Sequence, residues 1–198
     1  MSNNFSQEDP LHYAIWNDNH TDAFTLVEGG YDVNSKTSNG TTPLVVAIEK
    51  QNIYMINYLI IKGADPNLRF QKQFTPLIYS ASQNYLEIVN ILIQAKANVD
   101  DSIPFWGLTS LLIAIKNNNF DVVKTLIENG GADINKKDEE GSPLLLAVTR
   151  GHEQIVLYLL EKGVNIDKDE PYMLRALEGG SNTIIQALMK AGLSSSIF

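Results

Sequence analysis

The chain has 198 residues, 44% of them apolar, a formal net charge of −8 and no cysteine. Its apolar content is too high for a disordered chain, and the missing cysteine excludes disulfide staples, thiolate zinc sites and cysteine nucleophiles. The acid excess argues against nucleic acid and anionic membranes as ligands, because both require clustered Lys and Arg. The acid is spread along the chain, which keeps the surface soluble. No apolar run approaches the roughly 20 residues that span a bilayer. Met1 to Pro10 is polar, without a basic stretch leading into an apolar one, so no standard secretory signal is expected. The plain expectation is a cytoplasmic protein, monomeric when free.

Read from the N-terminus, one segment returns six times. Asp9-Pro10-Leu11-His12-Tyr13-Ala14 is followed by Thr42-Pro43-Leu44-Val45-Val46-Ala47 and Thr75-Pro76-Leu77-Ile78-Tyr79-Ser80. Then come Thr109-Ser110-Leu111-Leu112-Ile113-Ala114 and Ser142-Pro143-Leu144-Leu145-Leu146-Ala147, and last the degenerate Pro171-Tyr172-Met173-Leu174-Arg175-Ala176. The starts lie at 9, 42, 75, 109, 142 and 171, in steps of 33, 33, 34, 33 and 29 residues. Other positions keep the same frame. Leu26-Val27, Leu59-Ile60, Leu92-Ile93, Leu126-Ile127, Leu159-Leu160 and Leu188-Met189 follow at a constant offset. Met55-Ile56, Ile88-Val89, Val122-Val123, Ile155-Val156 and Ile184-Ile185 do the same in all but the first copy. Gly30, Gly63, Gly130, Gly163 and Gly192 close five copies, and Lys96 stands at this position in the third.

Each copy reads as two short helices. Thr or Ser before Pro starts a helix, because the hydroxyl caps free amides and Pro at the first helical position loses no hydrogen bond. The first helix is about two turns long and the second slightly longer, so neither is stable alone in water. Glycine after the second helix supplies the left-handed residue that ends it. The Leu, Ile and Val pairs are buried only against neighbouring copies, so stability comes from stacking. Gly40-Thr41 and its equivalents are predicted to form a turn projecting from the helices.

These residues resemble the ankyrin repeat, with its Thr-Pro-Leu-His-x-Ala start, Ile-Val-x-x-Leu-Leu second helix and Gly-Ala-Asp-x-Asn exit. The exits here are Gly30-Tyr31-Asp32-Val33-Asn34, Gly63-Ala64-Asp65-Pro66-Asn67, Gly131-Ala132-Asp133-Ile134-Asn135 and Gly163-Val164-Asn165-Ile166-Asp167. The resemblance covers about residues 9 to 193 and implies an all-α ankyrin-repeat solenoid of stacked helix-turn-helix units with projecting β-turn loops. Six repeats form a single domain over 1–198. Repeat 1 has Asp22-Ala23 in place of the apolar pair and reads as an N-terminal cap. Repeat 6, with a shortened approach and Tyr172 in place of proline, reads as the C-terminal cap, with Ile197-Phe198 folding over its end. Asn129-Gly130-Gly131 predicts a one-residue bulge in the repeat 4 exit, and the turn of repeat 5 is one residue short.

No catalytic or metal-binding pattern occurs. No pair of the three histidines has metal spacing, and no P-loop, dinucleotide or Gly-x-Ser-x-Gly signature is present. In the resemblance, His12 ties neighbouring loops together and His152 holds a framework position. The acids Asp100-Asp101 and Asp138-Glu139-Glu140 read as solvated turn residues. No cofactor is expected. Asn34 and Asn135 resemble ankyrin asparagines that are hydroxylated in animal cells; the alternative is a loop asparagine bonding its own backbone.

Ankyrin arrays bind proteins on a concave side made of turn tips and first helices, and the resemblance places a protein-binding face here at Trp16, Lys72, Phe74, Phe105, Trp106, Leu108, Lys116 and Arg150. Both tryptophans of the chain fall in this set, and exposed Trp, Phe and Arg dominate binding energy in protein interfaces. The expected function is a protein-binding module acting as adaptor, inhibitor or neutraliser, with no nucleic acid or membrane partner. Richness in Asn, Ile and Lys points to an AT-rich genome, bacterial or parasitic, and in a bacterium a secreted effector binding host proteins is the variant. The alternatives from other classes are an enzyme or enzyme subunit with a site built across repeats, marked by a deep pocket around His12, His20 and acids, and a self-associating scaffold.

Overall fold

A computed structural model describes residues 9–71 and 73–193, so Lys72 and Ile197-Phe198 lie outside the described residues. Among these residues there are twelve α-helices and no strand, in six helix pairs. The chain forms two compact units, residues 1–80 with 87–98 and residues 81–86 with 99–198. The fold class is the all-α ankyrin-repeat solenoid that the sequence pattern implies.

The first helices of the pairs are α1 (Pro10–Trp16), α3 (Pro43–Glu49), α5 (Pro76–Ser82), α7 (Ser110–Lys116), α9 (Pro143–Thr149) and α11 (Tyr172–Gly179). The second helices are α2 (His20–Glu28), α4 (Ile53–Ile61), α6 (Leu86–Gln94), α8 (Phe120–Glu128), α10 (Glu153–Glu161) and α12 (Asn182–Lys190). Four first helices start on a hydroxyl. Thr42, Thr75, Thr109 and Ser142 accept from the amides of Val45, Ile78, Leu112 and Leu145, at 3.4, 3.2, 3.2 and 3.1 Å. Pro171 provides no such cap to α11. Tyr172 instead turns inward, fully buried, with its hydroxyl 3.2 Å from Ser142 Oγ. Glu170 also bonds that Ser142 hydroxyl and is paired with Lys137 at 2.8 Å. The last repeat is thus joined to the one before it through the residue that replaces proline.

The two helices of a pair are joined by a residue at positive φ: Asp18, Gln51, Asn84, Asn118, Gly151 and Gly180. Gly30, Gly63, Gly131, Gly163 and Gly192 take the left-handed position after the second helices. Lys96 takes it at φ 67 with a side chain attached. The extra glycine of repeat 4 forms the expected bulge. The amide of Ala64 returns to Leu59 O, five residues back, whereas that of Ala132 returns to Leu126 O, six back.

Within the first unit, Leu44, Ile48, Met55, Ile56 and Leu59 are wholly buried, as are Leu111, Ile115, Val122, Val123 and Leu126 in the second. A ladder of side chains at the repeat exits adds direction to this burial. Asn34 Oδ1 accepts from the Asp65 amide at 2.8 Å, and its Nδ2 donates to Gly63 O at 3.0 Å. Asn67 accepts from the Asn98 amide at 2.7 Å, Asp100 from Asp133 at 2.9 Å, and Asn135 from Asn165 at 2.8 Å. The backbone of three of these rungs is itself held by an Asx turn, in which Asp32, Asp65 and Asp133 accept the amides of Asn34, Asn67 and Asn135 at 2.8, 2.8 and 2.9 Å. Asn34 and Asn135 therefore bond the next repeat's backbone rather than their own. On the second helices a three-residue device recurs. Glu28 accepts from Tyr58 and pairs with Lys62 at 2.8 Å, while Lys62 lies over the Tyr58 ring at 5.7 Å. Glu128, Tyr158 and Lys162 repeat it in the second unit. The lysine hydrogen bonds hold both carboxyls below the usual carboxylate range.

Lys96→Gly is expected to raise stability by about 1 kcal/mol, because glycine enters the left-handed region without a Cβ penalty. An unchanged or lowered urea midpoint would refute it. Asn34→Ala removes both rung bonds and is expected to lower stability by about 1–2 kcal/mol in the same measurement.

Candidate protein-binding face

In the second unit the approach to α7 is a hairpin. The Ile103 amide donates to Leu108 O at 3.0 Å, the Gly107 amide to Ile103 O at 3.1 Å, and Ser102 pairs with Thr109 as an isolated bridge. Ile103 and Leu108 point inward and are buried, which anchors the loop. Leu108, which the repeat register places on the binding face, is 9% exposed and supports the hairpin while also lining a recess beside Trp106. The tip carries Phe105 and Trp106, which are 94% and 53% exposed. Phe105 sits at φ 71, a left-handed conformation uncommon for a residue that carries a side chain. Gly107 follows at φ 66, and a Cβ there would stand 3.5 Å from Asp138 Cα. The next turn, Asp138 to Gly141, thus packs directly beside the aromatic tip.

That neighbouring turn brings acid. Asp138 Oδ1 accepts the Glu140 amide at 2.8 Å, and its side chain is only 3% exposed. Lys116, at the end of α7, reaches across to Glu140 Oε1 at 2.6 Å, with Asp138 Oδ2 at 3.9 Å. Arg150, the C-cap of α9, lies 4.0 Å from the other Glu140 oxygen. Trp106, Leu108, Lys116, Asp138, Glu139 and Glu140 enclose a recess of about 280 Å3. Lys116 and Arg150, both assigned to the binding face by the resemblance, are therefore opposed by Glu140. Its distance from both in sequence is what hid the pairing. Of the expected site residues in this unit, Phe105, Trp106, Lys116 and Arg150 reach the surface around the two adjoining turns, and Leu108 meets it only as lining of that recess.

In the first unit Trp16 is half-buried at the end of α1, and Lys50 lies over its ring at 5.6 Å while pairing with Asp18 at 2.9 Å. Phe74 is half-buried too, 6.0 Å from the buried Phe70 ring. Phe70 in turn packs edge-on to Tyr79. Phe74 is therefore as much a part of its turn's packing as of its surface.

The histidines are framework. His12 is fully buried, and its Nε2 is 2.9 Å from Thr41 O of the next turn. His152 is half-buried at the N-cap of α10. His20 contacts Asn52 Nδ2 at 2.9 Å and stacks on Phe24. The recess on the outer side of repeat 1 is lined by Pro10, Tyr13, Asn17, Asn19, Asp22 and Leu26 among others, and by neither His12 nor His20. Among the described residues no three His, Asp or Glu side chains are grouped so as to hold a metal. No described helix is long and apolar enough to cross a membrane.

A family model of three ankyrin repeats matches residues 11–103, 94–171 and 111–196, and the chain belongs to the ankyrin-repeat family. It is 38% identical over 77 residues to BTB/POZ domain-containing protein 3 of Schizosaccharomyces pombe, a match covering 38% of this chain and 15% of that protein. It is 37% identical over 76 residues to protein phosphatase 1 regulatory subunit 27 of Mus musculus, covering 38% of this chain and 49% of the relative. The match thus spans half or less of either relative. Among solved structures, an ankyrin repeat domain from Acinetobacter baumannii is similar with a TM-score of 0.85 and 29% identity, over 94% of this chain and all of that one. The ankyrin repeat domain of human ASB11, at a TM-score of 0.76 and 23% identity over 94% and 85% of the two chains, shares the fold.

Burial lowers the pKa of both His12 and His152 from the ordinary value of 6.5, against the effect of their backbone hydrogen bonds. The folded chain then binds fewer protons than the unfolded chain below about pH 6.5, so stability falls as pH drops through that point. The urea midpoint is expected to decrease between about pH 7.5 and 5.5, and less steeply in a His12→Gln, His152→Gln variant. An equal slope in the variant would place the titration elsewhere.

Proposed function

We propose that the chain is a stoichiometric protein-binding module, an adaptor, inhibitor or neutraliser of another protein, that acts through turn tips and first helices. On this reading residues 1–198 act as one domain, cytoplasmic and monomeric when free, with no cofactor. One observation carries it: Phe105 and Trp106 stand side by side on a hairpin tip, 94% and 53% exposed, with no intramolecular ring contact among the described residues. Adjacent exposed aromatics on an otherwise polar turn are unfavourable in water and mark a surface that is covered in use. Lys116 and Arg150 belong to the same surface in this unit, and Trp16, Lys72 and Phe74 are assigned to a binding role from the places they hold in their own repeats. Membership of a family whose repeats are typically non-catalytic interaction modules supports the same reading. So does the likeness to a mouse protein named as a regulatory subunit of a phosphatase.

Capture from a lysate of the source organism tests it. The tagged chain is expected to retain a specific protein, and a Phe105→Ala, Trp106→Ala variant shown to be folded by circular dichroism is expected to lose at least about tenfold in affinity, the effect of removing a hot spot. Equal retention by the folded variant would move the site to the second helices or the end repeats.

A further inference from the structure

We infer that the Phe105–Trp106 tip receives a cationic segment of a protein partner, an arginine or lysine flanked by an apolar residue. The inference rests on the protein-binding reading of this face and adds the chemistry of what is bound. Trp106 lines the 280 Å3 recess together with Asp138, Glu139 and Glu140 of the neighbouring turn. Three acids, Asp138, Glu139 and Glu140, stand there against one ammonium, that of Lys116. Lys116 is drawn toward Glu140 at 2.6 Å, and Arg150 approaches the same carboxylate from outside at 4.0 Å. Glu139 is exposed and makes no ion pair among the described residues. The recess therefore keeps negative charge beside an aromatic side chain after its internal pairs are formed.

Elsewhere the chain fills this combination itself. Lys50 lies over Trp16 and pairs with Asp18; Lys62 lies over Tyr58 and pairs with Glu28; Lys162 lies over Tyr158 and pairs with Glu128. In each case one cation satisfies a ring face and a carboxylate together. Trp106 has the ring and the carboxylates, yet no cation lies over it among the described residues. A guanidinium or ammonium from outside would complete the same triad, and the 94% exposed Phe105 beside it would take an apolar neighbour. The net charge of −8 would steer such a segment inward and repel an acidic one.

The test uses the full chain and dye-labelled synthetic peptides of equal length, in which leucine alternates with arginine, glutamine or glutamate, read by fluorescence anisotropy. The arginine–leucine peptide is expected to bind saturably and to weaken with added salt. Glu139→Gln alone, which breaks no internal pair, and Glu139→Gln with Glu140→Gln are each expected to weaken it, the pair by about tenfold. Asp121→Asn with Glu161→Gln, the same charge change on α8 and α10, is expected to leave binding as it was. Equal binding of the glutamine peptide, no binding of the arginine peptide, or equal weakening by the α8 and α10 pair would overturn the inference. If a lysate partner is lost by Phe105→Ala, Trp106→Ala but kept in full by the Glu139, Glu140 variant, the protein-binding reading stands and the cationic assignment falls.

Discussion

Everything in this molecule depends on burial between helices too short to exist alone. The first helices run seven or eight residues and the second helices nine, well under the length at which an isolated helix is stable in water. Each is stable only because its Leu, Ile and Val side chains are removed from water by a neighbour. The hydrogen bonds between repeats then fix where that neighbour sits. The rungs at Asn34, Asn67, Asp100 and Asn135 are one set, and the His12 bond to Thr41 is another. Burial is non-directional and tolerates sliding, whereas a side-chain amide clamped on a particular backbone amide does not.

That division of labour explains what could be read from the sequence. The helix starts follow from local chemistry at Thr42, Thr75, Thr109 and Ser142, and all were legible. The bulge at Gly130-Gly131 was legible as well, since an added glycine in a repeating frame has nowhere else to go. The residues linking the helices of each pair were not singled out. Asp18, Gln51, Asn84 and Asn118 hold the same left-handed conformation as Gly151 and Gly180, but no single residue type marks the position. The rungs escaped notice for a different reason. Asn and Asp in an exit loop look like ordinary turn formers, and their partner amides lie some 31 residues downstream, as from Asn67 to Asn98.

The binding face was legible in part. Phe105 and Trp106 stood out because a turn tip gives large aromatics nothing to pack on. Leu108 did not separate from them, because which residues of a hairpin face inward depends on its pairing, and only the Ile103–Leu108 contact reveals it. The cations were legible as positions and not as charges. Lys116 and Arg150 lie in the right register, but Glu140, between them in sequence and on the next turn in space, takes up their charge. A register locates a side chain and leaves its electrostatic surroundings open.

The same separation of framework from surface accounts for the tip itself. Ile103 and Leu108 carry the hairpin's burial, its backbone bonds close on Ile103 O and Leu108 O, and Gly107 lets the next turn approach. None of these contacts uses the side chains of Phe105 or Trp106. Folding therefore places no anchoring demand on those two positions, and a polar residue at the 94% exposed Phe105 would lower the exposure of apolar surface. Phe105 even holds a left-handed backbone that glycine or asparagine would adopt with less strain. Two aromatics kept where stability would favour something else are best explained by an interaction made outside the chain, and the unbalanced carboxylates of the neighbouring turn give that interaction its sign.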